Sequence, residues 1–536
     1  MDLSAQVQAW IADDPDPLTA AQLQNWLDTD NEVELRTSFS GFLQFGTAGL
    51  RGPVRPGPSG MNRAVVGRAA AGIAAYMKER NLSSVVIGRD ARYGSEDFTF
   101  ETAQIMSGAG MKVYILPRPL PTPVLAFATN ELRCDVGIMV TASHNPPQDN
   151  GYKVYLGGTV DGIHYRGSQI VSPTDESIAA KIDAITSLAS QPRGAEWSVL
   201  GEEIINKYVE ITASLAKNPG NLRIVYTAMH GVGTETLLAV FHKAGFPAPI
   251  LVAAQAQPDP DFPTVAFPNP EEPGAIDLAL ETAHAFDAHL VIANDPDADR
   301  CAAAVNDPIG GWRMLRGDEL GAVFGETIAR GISKGVLANS IVSSTVLSKI
   351  AAHYNLEFKQ VLTGFKWLAK IDDLAFGYEE ALGYAVDAIT VNDKDGISAA
   401  IKLAQIATDL AAENKTILDL LDEIWSRHGY HATEQISIRL TDLSQVDVIM
   451  GRLRKEPPKT VAGYVVTSID DLAAPTDGLP PTDGLRIWLD GTIRIIIRPS
   501  GTEAKMKCYI EVIEKDLQHA QIVLDQLRAP LRKLLS

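Results

Sequence analysis

A serine lies at the abrupt end of an apolar segment in the first third of the chain. Residues 136–140, Val-Gly-Ile-Met-Val, are typical of a buried strand, and residues 141–153, Thr-Ala-Ser-His-Asn-Pro-Pro-Gln-Asp-Asn-Gly-Tyr-Lys, end it with polar residues, prolines and a glycine. Ser143 is therefore held on a turn at a strand end. His144 and Lys153 are two candidate proton acceptors nearby, so the pattern suits a nucleophilic hydroxyl. A turn without chemistry would fit this segment alone equally well.

Three aspartates at alternate positions follow a second predicted buried strand. The sequence Asn-Asp-Pro-Asp-Ala-Asp-Arg contains Asp295, Asp297 and Asp299 and is followed by another apolar strand. Three carboxylates are costly to hold together unless a cation neutralises them, and hard oxygen ligands favour Mg²⁺. The spacing does not fit an EF-hand loop, and a solvated acidic turn is the alternative. Arg300, directly after the acids, is consistent with a phosphate that shares the metal.

Three further segments carry groups suited to a phosphorylated sugar. Arg51 follows a glycine-rich turn, where backbone amides and a guanidinium can approach an anion. Glu379 and Glu380 lie between glycines and can accept hydrogen bonds from sugar hydroxyls, although a surface pair of glutamates is a common alternative. Arg-Pro-Ser-Gly-Thr-Glu-Ala-Lys, from Arg498 to Lys505, combines a guanidinium, two hydroxyls and an ammonium, which suits a phosphate. Its spacing is not that of a Walker loop, so nucleotide binding is not implied.

The elements that must position these segments follow a regular order. Up to about residue 430, strand patterns alternate with helical ones, which predicts mostly parallel sheets with ligands at the carboxyl ends of strands. From there, short strands flanking a helix predict an antiparallel sheet. We therefore predict three similar α/β domains with mixed, mostly parallel sheets, and a C-terminal antiparallel α+β domain, around a central cleft. The predicted domains are a serine-bearing domain at 1–205, a metal-binding domain at 206–317, a sugar-binding domain at 318–430 and a phosphate-binding domain at 431–536.

The composition of the chain restricts the binding partners and the cellular compartment that we expect for it. The chain has 536 residues, of which 46% are apolar, and is typical of a globular protein with several domains. Its net charge of −19 argues against binding to nucleic acid or to an anionic membrane, because either partner needs a broad basic face. The three cysteines lack metal spacing and the first residues lack an export signal. We therefore expect a cytoplasmic protein with a small anionic substrate.

Four of these segments, in order, resemble the loops of the α-D-phosphohexomutase family, which includes phosphoglucomutases and phosphomannomutases. TASHNPPQDNGYK resembles the family's phosphoserine loop, DPDADR its magnesium loop, GYEEALGY its sugar-specificity loop and RPSGTEAK its phosphate loop. The resemblance covers nearly the whole chain. It implies an intramolecular phosphotransferase that exchanges the 1-phosphate and 6-phosphate of a hexose, glucose first and mannose second. The exchange would pass through a phosphoserine and a sugar bisphosphate, which also serves as activator.

Carried over residue by residue, the resemblance implies a role for each site residue. Ser143 would carry the phosphoryl group, and Mg²⁺ would be held by a phosphoserine oxygen and the three aspartates. Arg51 and Arg300 would stabilise the transferring group, with His144 or Lys153 as general acid or base. The implied substrate-binding residues are Thr363, Gly364, Lys366, Glu379, Glu380, Ala381 and Lys394. The phosphate that does not react would be bound by Arg498, Ser500, Gly501, Thr502 and Lys505.

One position departs from the family pattern. Many hexose mutases have a serine after the paired glutamates, where this sequence has Ala381. Together with Thr-Gly-Phe-Lys-Trp at 363–367, this alanine resembles the branch that also contains phosphopentomutases acting on ribose and deoxyribose phosphates. A phosphopentomutase is therefore the alternative within the class, and a metal-dependent sugar phosphatase is the alternative outside it. The expected oligomeric state is a monomer or a homodimer.

Overall fold

Four larger sheets organise the residues that the computed structural model describes, which are 2–442, 444–499 and 505–536. The chain divides into two units, each formed by two separate parts of the sequence. The first unit is Met1–Leu315 with Gly383–Asp409, and the second is Arg316–Leu382 with Leu410–Ser536. The four domain boundaries expected from the sequence stay predictions.

The first sheet, in the first unit, places the serine segment at the end of a buried inner strand. Val136–Val140 pairs in parallel with Ser84–Arg89 on one side and antiparallel with Asp149–Leu156 on the other. All residues of Val136–Val140 are buried, as a continuous apolar run predicts for a strand covered on both faces. In spatial order the strands are Leu50–Pro53, Asp149–Leu156, Val136–Val140, Ser84–Arg89, Lys112–Ile115 and Ser198–Val199, with Ser168–Gln169 beside Asp149–Leu156. Thr159–Val160 and Ile163–His164 form a separate small pair.

The helices of this region include one that is almost entirely buried. Arg63–Glu79 is rich in alanine and glycine, whose small side chains allow close packing. Asn62 accepts a hydrogen bond from a backbone amide of its first turn, as a good N-terminal capping residue does. The first three helices share a small apolar core around Val7, Leu23 and Leu35. The helices are Leu3–Asp13, Pro17–Asp28, Glu32–Ser38, Arg63–Glu79, Ser95–Gly108, Thr122–Glu131, Thr174–Asp183 and Glu203–Ala213.

The second sheet, also in the first unit, presents the aspartates at a strand end in the same way. Ile224–Thr227 and Leu290–Ala293 are buried parallel neighbours, and Ala302–Asp307 pairs antiparallel with the latter. The aspartate segment connects Leu290–Ala293 to Ala302–Asp307. In spatial order the strands are Ile250–Leu251, Ile224–Thr227, Leu290–Ala293, Ala302–Asp307 and Gly311–Met314. The first unit also contains the helices Gly233–Lys243 and Asp277–Ala285, a short 3-10 helix at Ala253–Gln255, the strand Gly383–Ala385, which is not part of this second sheet, and most of the helix Gly396–Ala412.

In the second unit, three parallel strands lead to the paired glutamates. Val336–Ser340 is central, and both Glu357–Val361 and Leu374–Glu379 pair with it. Glu379 is the last residue of its strand, and Glu380 lies in the turn that follows. The helices of this region are Gly317–Arg330, Val346–His353, Phe365–Leu368 and Ile417–His428.

The C-terminal residues form an antiparallel sheet with two helices, Ser444–Lys455 and Leu517–Leu534. In spatial order its strands are Tyr430–Arg439, Lys505–Glu514, Ile493–Pro499, Leu485–Leu489, Tyr464–Asp471 and Thr460–Val461. Alternate residues Ile493, Ile495 and Ile497 enter the core, which is the two-residue period of a strand. The predicted combination of three α/β domains with a C-terminal antiparallel α+β domain is confirmed. Among the described residues, no helix is both long enough and apolar enough to cross a membrane.

A buried carboxylate ties the C-terminal sheet to the rest of the second unit. The Oε1 atom of Glu511 accepts hydrogen bonds from the Ser344 hydroxyl at 2.6 Å and the Thr345 amide at 2.7 Å, and lies 2.9 Å from Nδ1 of His431. Arg494 forms an ion pair with Oε2 at 3.0 Å. Burial alone would raise the pKa of Glu511, but the charge of Arg494 and the contact with His431 outweigh it and lower the pKa to about 2.

We expect Glu511→Gln to destabilise the protein at pH 7 by roughly 3 kcal/mol, because a carboxylate pKa lowered from 4.5 to about 2 represents that much free energy of folding. The folded pKa lies below the unfolded pKa. The stabilisation is therefore complete above about pH 5 and is lost as the pH falls towards 2. Urea denaturation of wild type and variant at pH 7 and at pH 3 measures the difference, which should be smaller at pH 3. Glu456→Gln, at an exposed position, is the control, and an equal loss at both pH values would contradict the prediction.

Candidate active site

The serine and the aspartates come into direct contact in the first unit. The Ser143 hydroxyl donates a hydrogen bond to Oδ2 of Asp295 at 3.0 Å, although 152 positions separate the two residues. The same hydroxyl lies 3.2 Å from Nδ1 of His144. Ser143 has a left-handed backbone, with φ of 52°, and its amide donates to the Thr141 hydroxyl at 2.9 Å. A strained turn at the end of the inner strand thus presents the hydroxyl to a carboxylate.

The three aspartates form a buried cluster that can hold a metal ion. One carboxylate oxygen from each of Asp295, Asp297 and Asp299 lies within 4.8 Å of the others. Burial, and then the two neighbouring carboxylates, raise the pKa of Asp295 to about 8. Oδ1 of Asp297 and Oδ1 of Asp299 are buried without a hydrogen-bond partner among the described residues. Buried oxygen atoms that lack donors, close to further carboxylate oxygens, fit a hard divalent cation such as Mg²⁺.

Two lysines lie beside this cluster. Nζ of Lys153 lies 2.7 Å from Oδ2 of Asp297 and 2.9 Å from Oδ2 of Asp299, and Nζ of Lys394 lies 3.3 Å from the same Asp299 oxygen. Burial opposes the charge of Lys153, but the two carboxylates outweigh it and raise its pKa. Burial would raise the pKa of Asp299, yet Lys153 and Lys394 hold it far below its usual range. Lys153 is therefore a cation between two carboxylates.

Two arginines lie beside the serine and the aspartates. Arg51 donates from Nη1 to Oδ1 of Asn145 at 3.2 Å. The Arg300 amide donates to Oδ1 of Asp295 at 3.1 Å, and Nε of Arg300 lies 3.8 Å from Oδ2. Removal from water, and then the charges of Arg300 and Arg51, hold the pKa of His144 well below its usual value. These surroundings favour the neutral form of the His144 ring.

Two further segments fix the backbone of the aspartate turn. The Thr122 hydroxyl donates to Oδ2 of Asp297 at 2.5 Å, and the Thr122 amide donates to the Asp297 carbonyl at 2.9 Å. Gly231 packs so tightly on Pro296 that an added Cβ would lie 2.3 Å from the proline Cα. The neighbouring Val232 amide donates to the Pro296 carbonyl at 2.8 Å. A side chain at 231 would displace the turn, so glycine is required there.

The residues expected to bind the sugar, apart from Lys394, belong to the second unit. Oε1 of Glu379 accepts a hydrogen bond from the Gly364 amide at 2.6 Å. Oε2 of Glu380 accepts hydrogen bonds from the hydroxyls of Ser340 at 3.1 Å and Ser343 at 3.2 Å. The two glutamates therefore have different surroundings, because Glu380 is bound to serines of its own unit while Glu379 adjoins the turn that contains Gly364.

The described residues expected to bind phosphate also belong to the second unit. The Arg498 guanidinium donates to the Thr363 hydroxyl. Lys505 is the first residue of the strand Lys505–Glu514. The remaining members of this predicted set, Ser500, Gly501 and Thr502, lie outside the described residues.

Three family models match consecutive parts of this chain. They are described as phosphoglucomutase/phosphomannomutase, alpha/beta/alpha domains I, II and III, and they match residues 43–189, 202–311 and 316–428. The chain belongs to the phosphoglucomutase/phosphomannomutase family. As a member of this family of mutases, it is an intramolecular phosphotransferase.

Proteins similar to this phosphoglucomutase/phosphomannomutase family member are named after different sugars. A probable phosphomannomutase of Haemophilus influenzae is 47% identical over 482 residues, with 89% of this chain and 98% of the relative covered. A phosphopentomutase of Mus musculus is 32% identical, with 98% of this chain and 93% of the relative covered. A solved structure from Paramecium, described as a phosphoglucomutase, has a TM-score of 0.71 at 18% identity and covers 93% of this chain and 96% of its own. At that identity the structural likeness concerns the fold alone.

Arg92, Thr122 and Gly231 contact the site of this phosphoglucomutase/phosphomannomutase family member but were not among the site residues expected from its sequence. Arg92 lies just after Ser84–Arg89, the parallel neighbour of the serine strand. Because ligands gather at the carboxyl ends of parallel strands, this position was a usable signal. Thr122 lies between two prolines and has no sequence pattern that distinguishes it.

Proposed function

We propose that this protein interconverts the 1-phosphate and 6-phosphate of a hexose, with glucose as the preferred sugar and mannose as the second. One observation carries the proposal, namely the 3.0 Å hydrogen bond from the Ser143 hydroxyl to Asp295 within a buried group of carboxylates. A hydroxyl in this place can carry a phosphoryl group directly beside a cation that neutralises it. Membership of a mutase family supports transfer within one sugar.

The proposed reaction starts from a phosphoryl group on Oγ of Ser143. A sugar hydroxyl attacks the phosphorus, the bond from phosphorus to Oγ breaks as the new bond forms, the proton of the sugar hydroxyl passes to a base, and Oγ takes up a proton. His144 suits proton exchange with Oγ, because its Nδ1 lies 3.2 Å from that atom. The sugar bisphosphate reorients, and its other phosphoryl group returns to Ser143 by the reverse steps. The number of phosphoryl groups on enzyme and sugar is therefore conserved.

The charged groups of the first unit would stabilise the transfer. Asp295, Asp297 and Asp299 would hold Mg²⁺ with an oxygen of the phosphoserine, and the cation would supply electrostatic stabilisation of the phosphoryl oxygens. Arg51 and Arg300 would bind the equatorial oxygens of the group in transit. Positioning and charge neutralisation are the main catalytic effects expected of a phosphoryl transfer enzyme.

The residues of the second unit would recognise the sugar and its second phosphate. Glu379 would bind the sugar hydroxyls, whereas Glu380, which accepts hydrogen bonds from Ser340 and Ser343, would hold the turn in place. The remaining residues proposed to contact the sugar are Thr363, Gly364, Lys366, Ala381 and, in the first unit, Lys394. Those proposed to bind the phosphate that does not react are Arg498, Ser500, Gly501, Thr502 and Lys505.

A panel of sugar phosphates tests the proposal. The purified protein is incubated with Mg²⁺, a trace of glucose 1,6-bisphosphate and either glucose 1-phosphate, mannose 1-phosphate or ribose 1-phosphate, and ³¹P NMR follows the products. We expect glucose 6-phosphate to form at least about tenfold faster than ribose 5-phosphate. Net release of inorganic phosphate without any isomer would replace the proposal with a sugar phosphatase.

A phosphopentomutase is the second candidate, and two observations favour it. Ala381 follows the paired glutamates, and relatives named phosphopentomutase are similar over nearly the whole chain. A clear preference for ribose 1-phosphate in the same panel would establish this candidate in place of the hexose mutase.

A further inference from the structure

One buried arginine donates to four backbone carbonyl oxygens of the serine segment. Nη1 of Arg92 donates to the carbonyls of Pro146 at 2.8 Å and Asp149 at 3.1 Å. Nη2 donates to the carbonyls of Ser143 at 2.7 Å and Asn145 at 2.6 Å. Each terminal nitrogen of a guanidinium carries two hydrogens, so these four bonds use all of them. Arg92 is only 5% exposed and does not depend on water for these contacts.

The guanidinium of Arg92 is itself held in place. Asp90 accepts a hydrogen bond from the Arg92 amide at 3.0 Å, and its other carboxylate oxygen lies 3.4 Å from Nε of Arg92. The Ser95 hydroxyl donates to Asp90 at 2.6 Å. The central carbon of the guanidinium lies 4.9 Å from the centre of the Phe262 ring. The Asp90 carboxylate, which Ser95 holds, and the Phe262 ring thus fix the plane of the guanidinium and the directions of its four terminal hydrogens.

The serine segment needs such a set of donors because it turns tightly and contains two prolines, which have no amide hydrogen to offer. Backbone carbonyl oxygens removed from water need donors, and Arg92 donates to four in this segment. The Pro146 carbonyl also accepts from the Asp149 amide at 3.0 Å. Two of these carbonyls belong to Ser143 itself and to Asn145, so the guanidinium fixes the backbone on both sides of His144. A displacement of about 1 Å at a reacting atom can lower a rate by about 100-fold.

We propose that Arg92 is a positioning residue for phosphoryl transfer, which fixes the backbone that carries Oγ of Ser143 without touching the substrate. The inference rests on the proposed function, because Ser143 is the nucleophile of that reaction. Lysine cannot replace arginine here, since an ammonium offers three donors from a single point and cannot reach four carbonyls in a plane.

Arg92→Lys tests the proposal, because it keeps the charge and removes the planar set of donors. We expect kcat for hexose phosphate exchange to fall about 100-fold and KM to change by less than about threefold. Amides of residues 141–151 should exchange hydrogen for deuterium faster, and the rest of the first unit should be unchanged. Arg89→Lys is the matched control, because Arg89 lies in the same region and its guanidinium pairs with the exposed Glu96 at 2.7 Å.

The two readouts separate this inference from the proposed function. If Arg92→Lys has the same kcat and the same deuterium uptake as the wild type, the inference is overturned while the mutase proposal stands. If the wild-type protein exchanges no sugar phosphate, the proposed function fails, and deuterium uptake at 141–151 alone decides whether Arg92 fixes the segment. Uptake that rises equally throughout the first unit would overturn the specific role. If Arg92→Lys does not fold, Arg92→Gln is measured instead, with the same expected and contradicting results.

Discussion

Ser143→Ala should lower hexose phosphate exchange by at least about 10⁵-fold while leaving the fold intact. The substitution removes the only atom of this residue that can form a bond to phosphorus, and loss of a nucleophile has effects of this size in other enzymes. The stability of the protein should change by no more than about 1 kcal/mol, because the lost hydroxyl contacts Asp295 and His144 at a strand end and fills no core cavity. The exchange assay and thermal unfolding measure the two quantities.

The same experiment can identify the phosphorylated residue directly. After incubation with glucose 1,6-bisphosphate, mass spectrometry should find a phosphoryl group on the wild-type peptide that contains Ser143 and none on Ser143→Ala. Ser190→Ala is the control, because Ser190 is exposed and its hydroxyl donates to the Ser187 carbonyl, three positions earlier. Substantial turnover in Ser143→Ala, or a phosphoryl group at another residue, would exclude Ser143 as the nucleophile.

The order of elements around this serine could be predicted from the sequence because local patterns determine it. The apolar run 136–140 is a buried strand as predicted, and the buried strand predicted before the three aspartates is Leu290–Ala293 in the structure. Both runs end in polar turns, and the rule that sites form at the carboxyl ends of strands applies to both. The aspartates were recognisable for another reason, since three carboxylates so close in sequence are costly to hold together unless positive charge neutralises them.

The partners of individual side chains could not be predicted, because they depend on how distant segments pack. Lys153 was one of two candidate proton acceptors for Ser143, yet its ammonium lies between Asp297 and Asp299, more than 140 positions away in sequence. Glu379 and Glu380 are adjacent in sequence, yet one contacts a backbone amide and the other two serines. No sequence periodicity predicts these side-chain contacts, because they depend on which polar groups tertiary packing brings within reach.

Asp297→Asn should lower exchange by about 1000-fold and should also weaken cation binding by at least about 100-fold. The amide keeps an oxygen that can accept the hydrogen bond from Thr122, so the turn should retain its shape. It removes one of three negative charges that would face the cation, and charge is what a hard divalent ion requires of its ligands. Titration calorimetry with Mg²⁺ measures the affinity without reference to activity.

Thermal unfolding distinguishes a lost cation site from a damaged fold. A ligand that binds only the folded protein raises its stability, so wild type should unfold at a higher temperature in Mg²⁺ than in a chelator. Asp297→Asn should lose this increase whatever its stability without Mg²⁺, which the removal of a like charge raises and the loss of the ion pair with Lys153 lowers. Asp307→Asn, whose carboxylate accepts a hydrogen bond from a backbone amide in a nearby hairpin, should keep the increase. Unchanged Mg²⁺ affinity in Asp297→Asn would show that the cation lies elsewhere, and the proposed role of the three aspartates would then fail even if Ser143 carries the phosphoryl group.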